Sequence, residues 1–275
     1  MKIGEGEYRL CLLDTNIYSE LAKDAPRYFA GLRAVLGESG WLLCFSPYSL
    51  YELRAKPAVY EKFVDIFDVF PCAVLKNEGQ LFEAEQEAYL TRDEVDPLLV
   101  GFSFFNKEKG TNLRSLLTRV FEDETTLARE AEWPALKLEL LDRWQELRKN
   151  YPPKGRWYQL HEARPFAKLG TIQQVAHRDP AWARGLRGQG EKLRWDGFPS
   201  IAMTLLTVFF RLYEPRNRRP VPQDVFDVLI STPTPYVDVV VTENMQAEIL
   251  RKARKVFPTV RDVDAYTLRD LRGAA

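Results

Sequence analysis

Residues 8–21 read YRLCLLDTNIYSEL. The apolar run Leu10–Leu13 stops at Asp14, and Thr15-Asn16 then open a helical pattern in which Ile17, Tyr18 and Leu21 share one side. A short apolar run without polar alternation is what a strand needs when both its faces are covered, as in a parallel sheet. Asp, Thr and Asn directly before apolar periodicity are the residues that start helices. Strand, polar corner and helix in that order make half of a βαβ unit.

The same order recurs along the chain. Residues 25–37 predict a second helix closed by Gly37, and Trp41–Phe45 (WLLCF) a second buried strand. Ser46-Pro47 starts a helix through Glu52, with proline where its missing N–H costs nothing. Residues 58–69 and 80–91 predict helices around a third strand, Cys72–Leu75. From 92 to 197 strand patterns are missing: helices are expected over 111–131 and 134–150, loop over Pro152–Gly155, and a mobile loop at Gly185, Gly188 and Gly190. Helix returns from Phe198 to Leu212 and again from Val221-Pro222 over Asp224, Asp227 and Ile230. Tyr236–Thr242 (YVDVVVT) is the clearest strand, followed by a helix from Met245 to Val256 and a last strand over Thr259–Val263. Strands separated by helices predict an α/β fold with a mainly parallel sheet sandwiched by helices. Its two halves, 1–91 and 198–275, flank a mainly helical insert at 92–197.

With 275 residues, 45% of them hydrophobic, the chain is long enough for a substantial core. The 39 basic and 39 acidic residues cancel, which excludes a uniformly basic nucleic-acid binder but not a basic face. Residues 76–132 hold 13 acids and 7 bases, whereas 133–200 hold 13 bases and 7 acids. The basic segment carries Trp144, Tyr151, Trp157, Tyr158, Phe166, Trp182 and Trp195. Arginine beside aromatic rings suits single-stranded nucleic acid, with Arg156 and Trp157 as candidate contacts. The competing reading makes these rings core and the arginines a solvated face. A second basic knot, Arg211, Arg216, Arg218 and Arg219, precedes the Val221 helix, and Arg216, Arg218 and Arg219 are further candidate nucleic-acid contacts.

Cys11, Cys44 and Cys72 lack CxxC spacing and fit reduced core residues of a cytoplasmic protein. The opening MKIGEGEYRL lacks the apolar segment of a signal peptide. The apolar stretch near Phe198–Phe210 is broken by Ser200 and Thr204 and is too short for a bilayer, so no membrane is expected as partner. His161 and His177 have no metal-site spacing, and neither a nucleophile elbow nor a phosphate-binding glycine loop follows any strand. Leu98–Phe105 (LLVGFSFF) reads as packing core, with a partner-binding groove as the alternative.

Carboxylates gather where a parallel sheet places chemistry. Asp14 ends the first strand, Glu52 follows the second, Asp224 and Asp227 share one helix face, and Asp238, Glu243 and Asn244 lie in and after YVDVVVT. Taken singly, an Asp before a helix is as a rule a cap. Several acids at one sheet edge repel one another unless a cation sits among them, and hard oxygen ligands favour Mg²⁺ or Mn²⁺. Such a site activates water and supports displacement at phosphorus.

LCLLDTNIYSEL, SPYSLYEL and DVLISTPTPYVDVVVTEN together resemble the successive motifs of the PIN-domain nucleases, over roughly residues 8–91 and 198–265. The resemblance implies a PIN-like five-stranded parallel sheet and a metal-dependent endonuclease, most often acting on RNA, with DNA as the alternative substrate. By motif, Asp14, Glu52 and Asp227 would be metal ligands, Asn16 would help hold the site together, and Thr242 would orient a water. Asp227 is preferred to Asp224 because the following VLIS fits the family's apolar helix. Two residues after Thr242, where the family often has an acid, stands Asn244; the fourth acid stays open between Asp238 and Glu243. The same resemblance raises a toxin–antitoxin role with a cognate antitoxin or inhibitor protein, and the missing acid keeps open a non-catalytic RNA- or protein-binding module. A homo-oligomer is also compatible with the sequence.

Overall fold

The structure, a computed structural model, describes residues 2–3, 6–37, 40–68, 70–99, 112–121, 124–150, 160–188, 192–213 and 219–274. A two-residue antiparallel pair, β1 (Lys2–Ile3) and β2 (Gly6–Glu7), precedes the main sheet. That sheet contains β3 (Arg9–Leu13), β4 (Trp41–Phe45), β5 (Cys72–Val74), β6 (Val239–Thr242) and β7 (Asp264–Thr267), all parallel, in the order β5-β4-β3-β6-β7. The α/β class and the parallel sheet read from the strand pattern are thus present.

Strand geometry explains why β3, β4 and β6 carry near-continuous apolar runs. Successive side chains point to opposite faces, and helices cover both. Leu10, Leu12, Leu42, Cys44, Ala73 and Val240 point into one core. Cys11, Leu13, Leu43, Phe45, Cys72, Val74, Val239 and Val241 point into the other. The three cysteines are free and buried, and desolvation pushes each thiol up.

The second core is roofed by α1 (Thr15–Lys23), α2 (Ala25–Leu36), α3 (Pro47–Arg54), α4 (Pro57–Phe67), α6 (Leu113–Phe121) and α13 (Leu268–Ala274). The first is roofed by α7 (Glu124–Asn150), α8 (Leu160–Arg178), α10 (Pro199–Tyr213), α11 (Pro222–Ser231) and α12 (Asn244–Val256). The middle of the chain therefore supplies helices to both layers. A smaller cluster joins α5 (Glu78–Thr91) and α9 (Pro180–Gly188) to the start of α10 through Phe82, Tyr89, Leu186 and Phe198. No helix of the described residues is long and apolar enough to cross a membrane.

Several expectations need correction. The helix boundary expected before Pro134 is absent, because α7 runs through it. Trp133 is buried against Tyr48 and Tyr51, at ring-centroid distances of 4.5 and 5.0 Å. Arg54 pairs with Glu130, four residues before the proline. This packing opposes a helix-interior penalty of about 3 kcal/mol. Gly185 and Gly188 lie within α9, whose Ala183 and Leu186 are buried, rather than in a mobile loop; Gly190 is outside the described residues. The strand expected from Tyr236 begins at Val239, because Thr234–Tyr236 form a 3₁₀ turn. The last strand is at 264–267 rather than 259–263, since Pro258–Val260 form another such turn. Pro152–Gly155 and most of Leu98–Phe105 fall outside the described residues.

Candidate acidic site at the carboxyl edge of the sheet

The strand order sets the position of the site. From β3 the chain moves outward through β4 to β5, and later returns on the other side of β3 as β6 and β7. The two directions diverge between β3 and β6, so the helices after these strands leave a crevice at their carboxyl ends. Asp14 stands at the end of β3, and Thr242 ends β6 beside it. The Asp14 amide donates to Val241 O at 3.0 Å, which locks the two strand ends together.

Asp14 is the N-cap residue of α1 by position, yet its side chain caps nothing. Instead, Thr242 Oγ1 donates to Asp14 Oδ2 at 2.7 Å. Asp14 Oδ1 is buried without a hydrogen-bond partner. Burial raises the Asp14 carboxyl above its ordinary range, opposed chiefly by the Thr242 hydroxyl and also by the charge of Arg211. A buried carboxylate with one orphaned oxygen is costly unless something positive approaches it.

Glu52 enters from α3 and is half-buried. Desolvation raises its carboxyl, the hydroxyl of Thr15 and the amide of Gln223 lower it, and the charge of Asp14 raises it. Gln223 Nε2 donates to Glu52 Oε1, and Lys137 Nζ donates to Gln223 Oε1 at 3.4 Å. Asp227 enters from α11 and lines a small hollow with Asp14, Ser231, Thr242 and Gln246. Its carboxyl is pushed up to about 7, first by desolvation and then by Asp14, Glu243 and Glu52, against the pull of Arg211. Asp14, Glu52, Asp227 and Glu243 therefore share one electrostatic neighbourhood.

Asp224 has a different task. Its Oδ2 accepts from the Val221 amide at 2.7 Å at the start of α11, and its Oδ1 accepts from Arg211 Nη1 at 2.8 Å. Asp238 lies at the opposite, amino edge of the sheet. Its Oδ2 accepts from the Leu10 amide at 2.7 Å, and its own amide donates to Leu10 O at 2.9 Å. Four residues of strand put it about 13 Å from Thr242, too far to act as a fourth acid. Glu243, at the N-cap of α12, is at the site. Asn244 and Asn16 are exposed on the first turns of α12 and α1. The hydroxyl that holds Asp14 belongs to Thr242.

Arg211 lies at the centre of the acids on α11 and α12. Its side chain is only 3% exposed, and Nη1 also pairs with Asp227 Oδ2 at 3.1 Å. Nη2 donates to Gln246 Oε1 at 2.9 Å and lies 3.8 Å from Glu243 Oε1. In the sequence Arg211 belongs to a basic knot; in the fold it is an internal counter-charge. The available signal was its context, Val208-Phe209-Phe210-Arg211-Leu212-Tyr213, since a guanidinium in an otherwise apolar helix requires a buried partner. Gln223 and Gln246 carried no such signal.

The expected nucleic-acid contacts divide. Arg219 is exposed and lines an open cavity with Gln145, Arg148, Lys149 and Pro220. Arg156, Trp157, Arg216 and Arg218 lie outside the described residues. Among the aromatics of the basic segment, Trp144 is buried in the core, Phe166 and Trp195 pack against it, and Trp182 packs against the α5–α10 cluster. Those four rings are structural rather than stacking platforms. Tyr151 and Tyr158 are also outside the described residues.

The donor set suits a hard divalent cation: Asp14, with its orphaned Oδ1, and the raised carboxyls of Glu52 and Asp227. Among the described residues, no three His, Cys, Asp or Glu side chains already stand as a preformed metal cage. The chain matches no protein-family model, no curated protein and no solved structure.

Proposed function

We propose that the chain is a Mg²⁺- or Mn²⁺-dependent endoribonuclease with a PIN-like catalytic sheet. The observation that carries this reading is Asp14: a buried carboxylate at the switch point of a parallel sheet, one oxygen held by Thr242 and the other without a partner. Glu52 and Asp227 add carboxyls whose protonation is favoured by burial and mutual repulsion. Raised acids converging in a crevice make a functional-site candidate. Asp14, Glu52 and Asp227 would hold the ion, which would supply Lewis acidity and a water activated for attack on phosphorus. Thr242 orients Asp14, and Gln223 orients Glu52. The basic cavity lined by Arg148 and Lys149 at the end of α7 and by Arg219 before α11 offers positive charge to phosphates.

The test uses labelled single-stranded RNA and DNA with wild type and Asp14→Asn, in Mg²⁺, Mn²⁺ or EDTA. Metal-dependent cleavage of RNA by wild type alone is expected. A folded wild type that cuts neither polymer would remove the catalytic reading. Faster cleavage of DNA would reassign the substrate. A cognate inhibitor protein covering the acidic crevice remains part of this proposal, with co-purification of a small partner as its check.

A second reading is favoured by Arg211 and Asn244. An internal arginine already neutralises part of the acidic charge, and the acid expected two residues after Thr242 is missing. Both features suit a non-catalytic RNA- or protein-binding module. Such a module needs no divalent ion, so absence of bound Mn²⁺ together with RNA binding would favour it.

A further inference from the structure

We propose that Arg211 is a fixed positive charge built into the acidic site and that it confines the divalent ion to the Asp14–Glu52 side, so that the chain takes one ion rather than two. The inference rests on the metal-dependent reading above. Three helices fix the guanidinium: α10 carries it, α11 presents Asp224 and Asp227, and α12 presents Gln246, with Glu243 at its N-cap. On the same helix Leu206, Val208, Phe209, Phe210, Leu212 and Tyr213 are buried. The planar guanidinium presents a fixed fork of N–H donors that meets several carboxylates at once.

The two sides of the site are unequally supplied. Toward α11 and α12, one guanidinium lies within 4 Å of three carboxylates, and Asp224 is additionally held by the Val221 amide. A cation placed there would meet a fixed like charge. At the end of β3, the 5% exposed Asp14 keeps its Oδ1 without a partner, and Glu52 of α3 stands in the same electrostatic neighbourhood. There an orphaned buried oxygen stands beside a second carboxylate that is outside the described ion pairs of Arg211. Asp227 lies on the border, with Oδ2 on Arg211 and its side chain lining the hollow it shares with Asp14.

The experiment is a calorimetric Mn²⁺ titration of wild type, Asp14→Asn, Arg211→Gln and Arg211→Lys, paired with thermal unfolding with and without Mn²⁺. Wild type is expected to bind one Mn²⁺ per chain, and Asp14→Asn to lose it. Arg211→Gln is expected to bind a second Mn²⁺ and to gain more in Tm from the ion than wild type does. Arg211→Lys keeps the charge and should keep a stoichiometry of one. If Arg211→Gln is too unstable to titrate, the size of its Mn²⁺-dependent Tm gain decides the matter. Two ions in wild type would overturn the inference, as would a folded Arg211→Gln with unchanged stoichiometry and Tm gain. If such a wild type still cuts RNA, the nuclease reading survives without the inference. A folded wild type that binds no Mn²⁺ and cuts nothing removes both.

Discussion

Thr242 Oγ1 donates a 2.7 Å hydrogen bond to Asp14 Oδ2, joining residues 228 apart in sequence at the ends of neighbouring strands. The bond is buried and sets which carboxylate oxygen is left free. Thr242→Val keeps the shape and removes the donor. It should lower metal-dependent cleavage by roughly 10–100-fold, the usual cost of losing a group that orients a ligand. Stability should fall by about 1–3 kcal/mol, because Asp14 then has two unsatisfied oxygens. Single-turnover cleavage and urea unfolding of the variant check both, and unchanged cleavage would show that this hydroxyl does not orient Asp14.

Glu85 offers a pH test away from the acidic crevice. It is buried on α5, and its Oε1 accepts from the Ser200 amide at 2.6 Å and from the Tyr236 hydroxyl. Desolvation pushes its carboxyl from 4.5 up to about 7. The folded state therefore holds this proton more tightly than the unfolded chain does. Its stabilising effect is complete below about 4.5 and is lost as pH rises through about 7. Glu85→Gln keeps an oxygen for both donors and removes the titration. The variant should flatten that part of the stability–pH curve and be more stable than wild type at pH 8, by an amount of order 2 kcal/mol. Parallel unfolding curves for the two proteins between pH 4.5 and pH 8 would contradict this account.

Charge reversal at Lys149 and Arg219 tests the basic cavity without touching an acid of the site. RNA binding by the double glutamate variant should weaken, and the dependence of log K on log salt should become shallower by about 0.7 for each lost phosphate contact on a single strand. Fluorescence anisotropy at several salt concentrations reads both quantities. Weaker binding with an unchanged slope would point to misfolding or an indirect effect rather than to phosphate contacts.

Gly31 tests the packing of α2 against α13. A Cβ at this position would lie 1.9 Å from the backbone oxygen of Leu271, so the helices meet where a side chain has no room. Gly31→Ala should destabilise the protein by about 1–3 kcal/mol through overpacking, despite alanine's better helix propensity. A thermal melt showing a stabilised variant would mean that α13 does not pack there.

Much of the fold was legible because strands and helices announce themselves over a few residues. LCLL, WLLCF and VVVT are continuous apolar runs because both faces of the sheet are covered, and Asp14, Ser46 and Glu243 mark the corners after them. Asp14, Glu52, Asp227 and Thr242 could be singled out because their distance from a strand end is a local property. What happens at long range was not legible. The helix through Pro134 depends on Trp133 meeting Tyr48 and Tyr51, and α13 lies against Gly31 some 240 residues away. Asp238 looks equivalent to the site acids until the strand direction assigns it to the other edge.

The sequence by itself determined the α/β class, the parallel sheet and the set of acids from which a site could be made. Only the tertiary structure decided which acids share one field, that Asp224 caps a helix, and that Arg211 stands among carboxylates instead of on a basic surface. Periodicity and capping are settled by neighbours within a turn or two of chain. Charge, burial and hydrogen-bond supply are set by atoms that folding alone brings together.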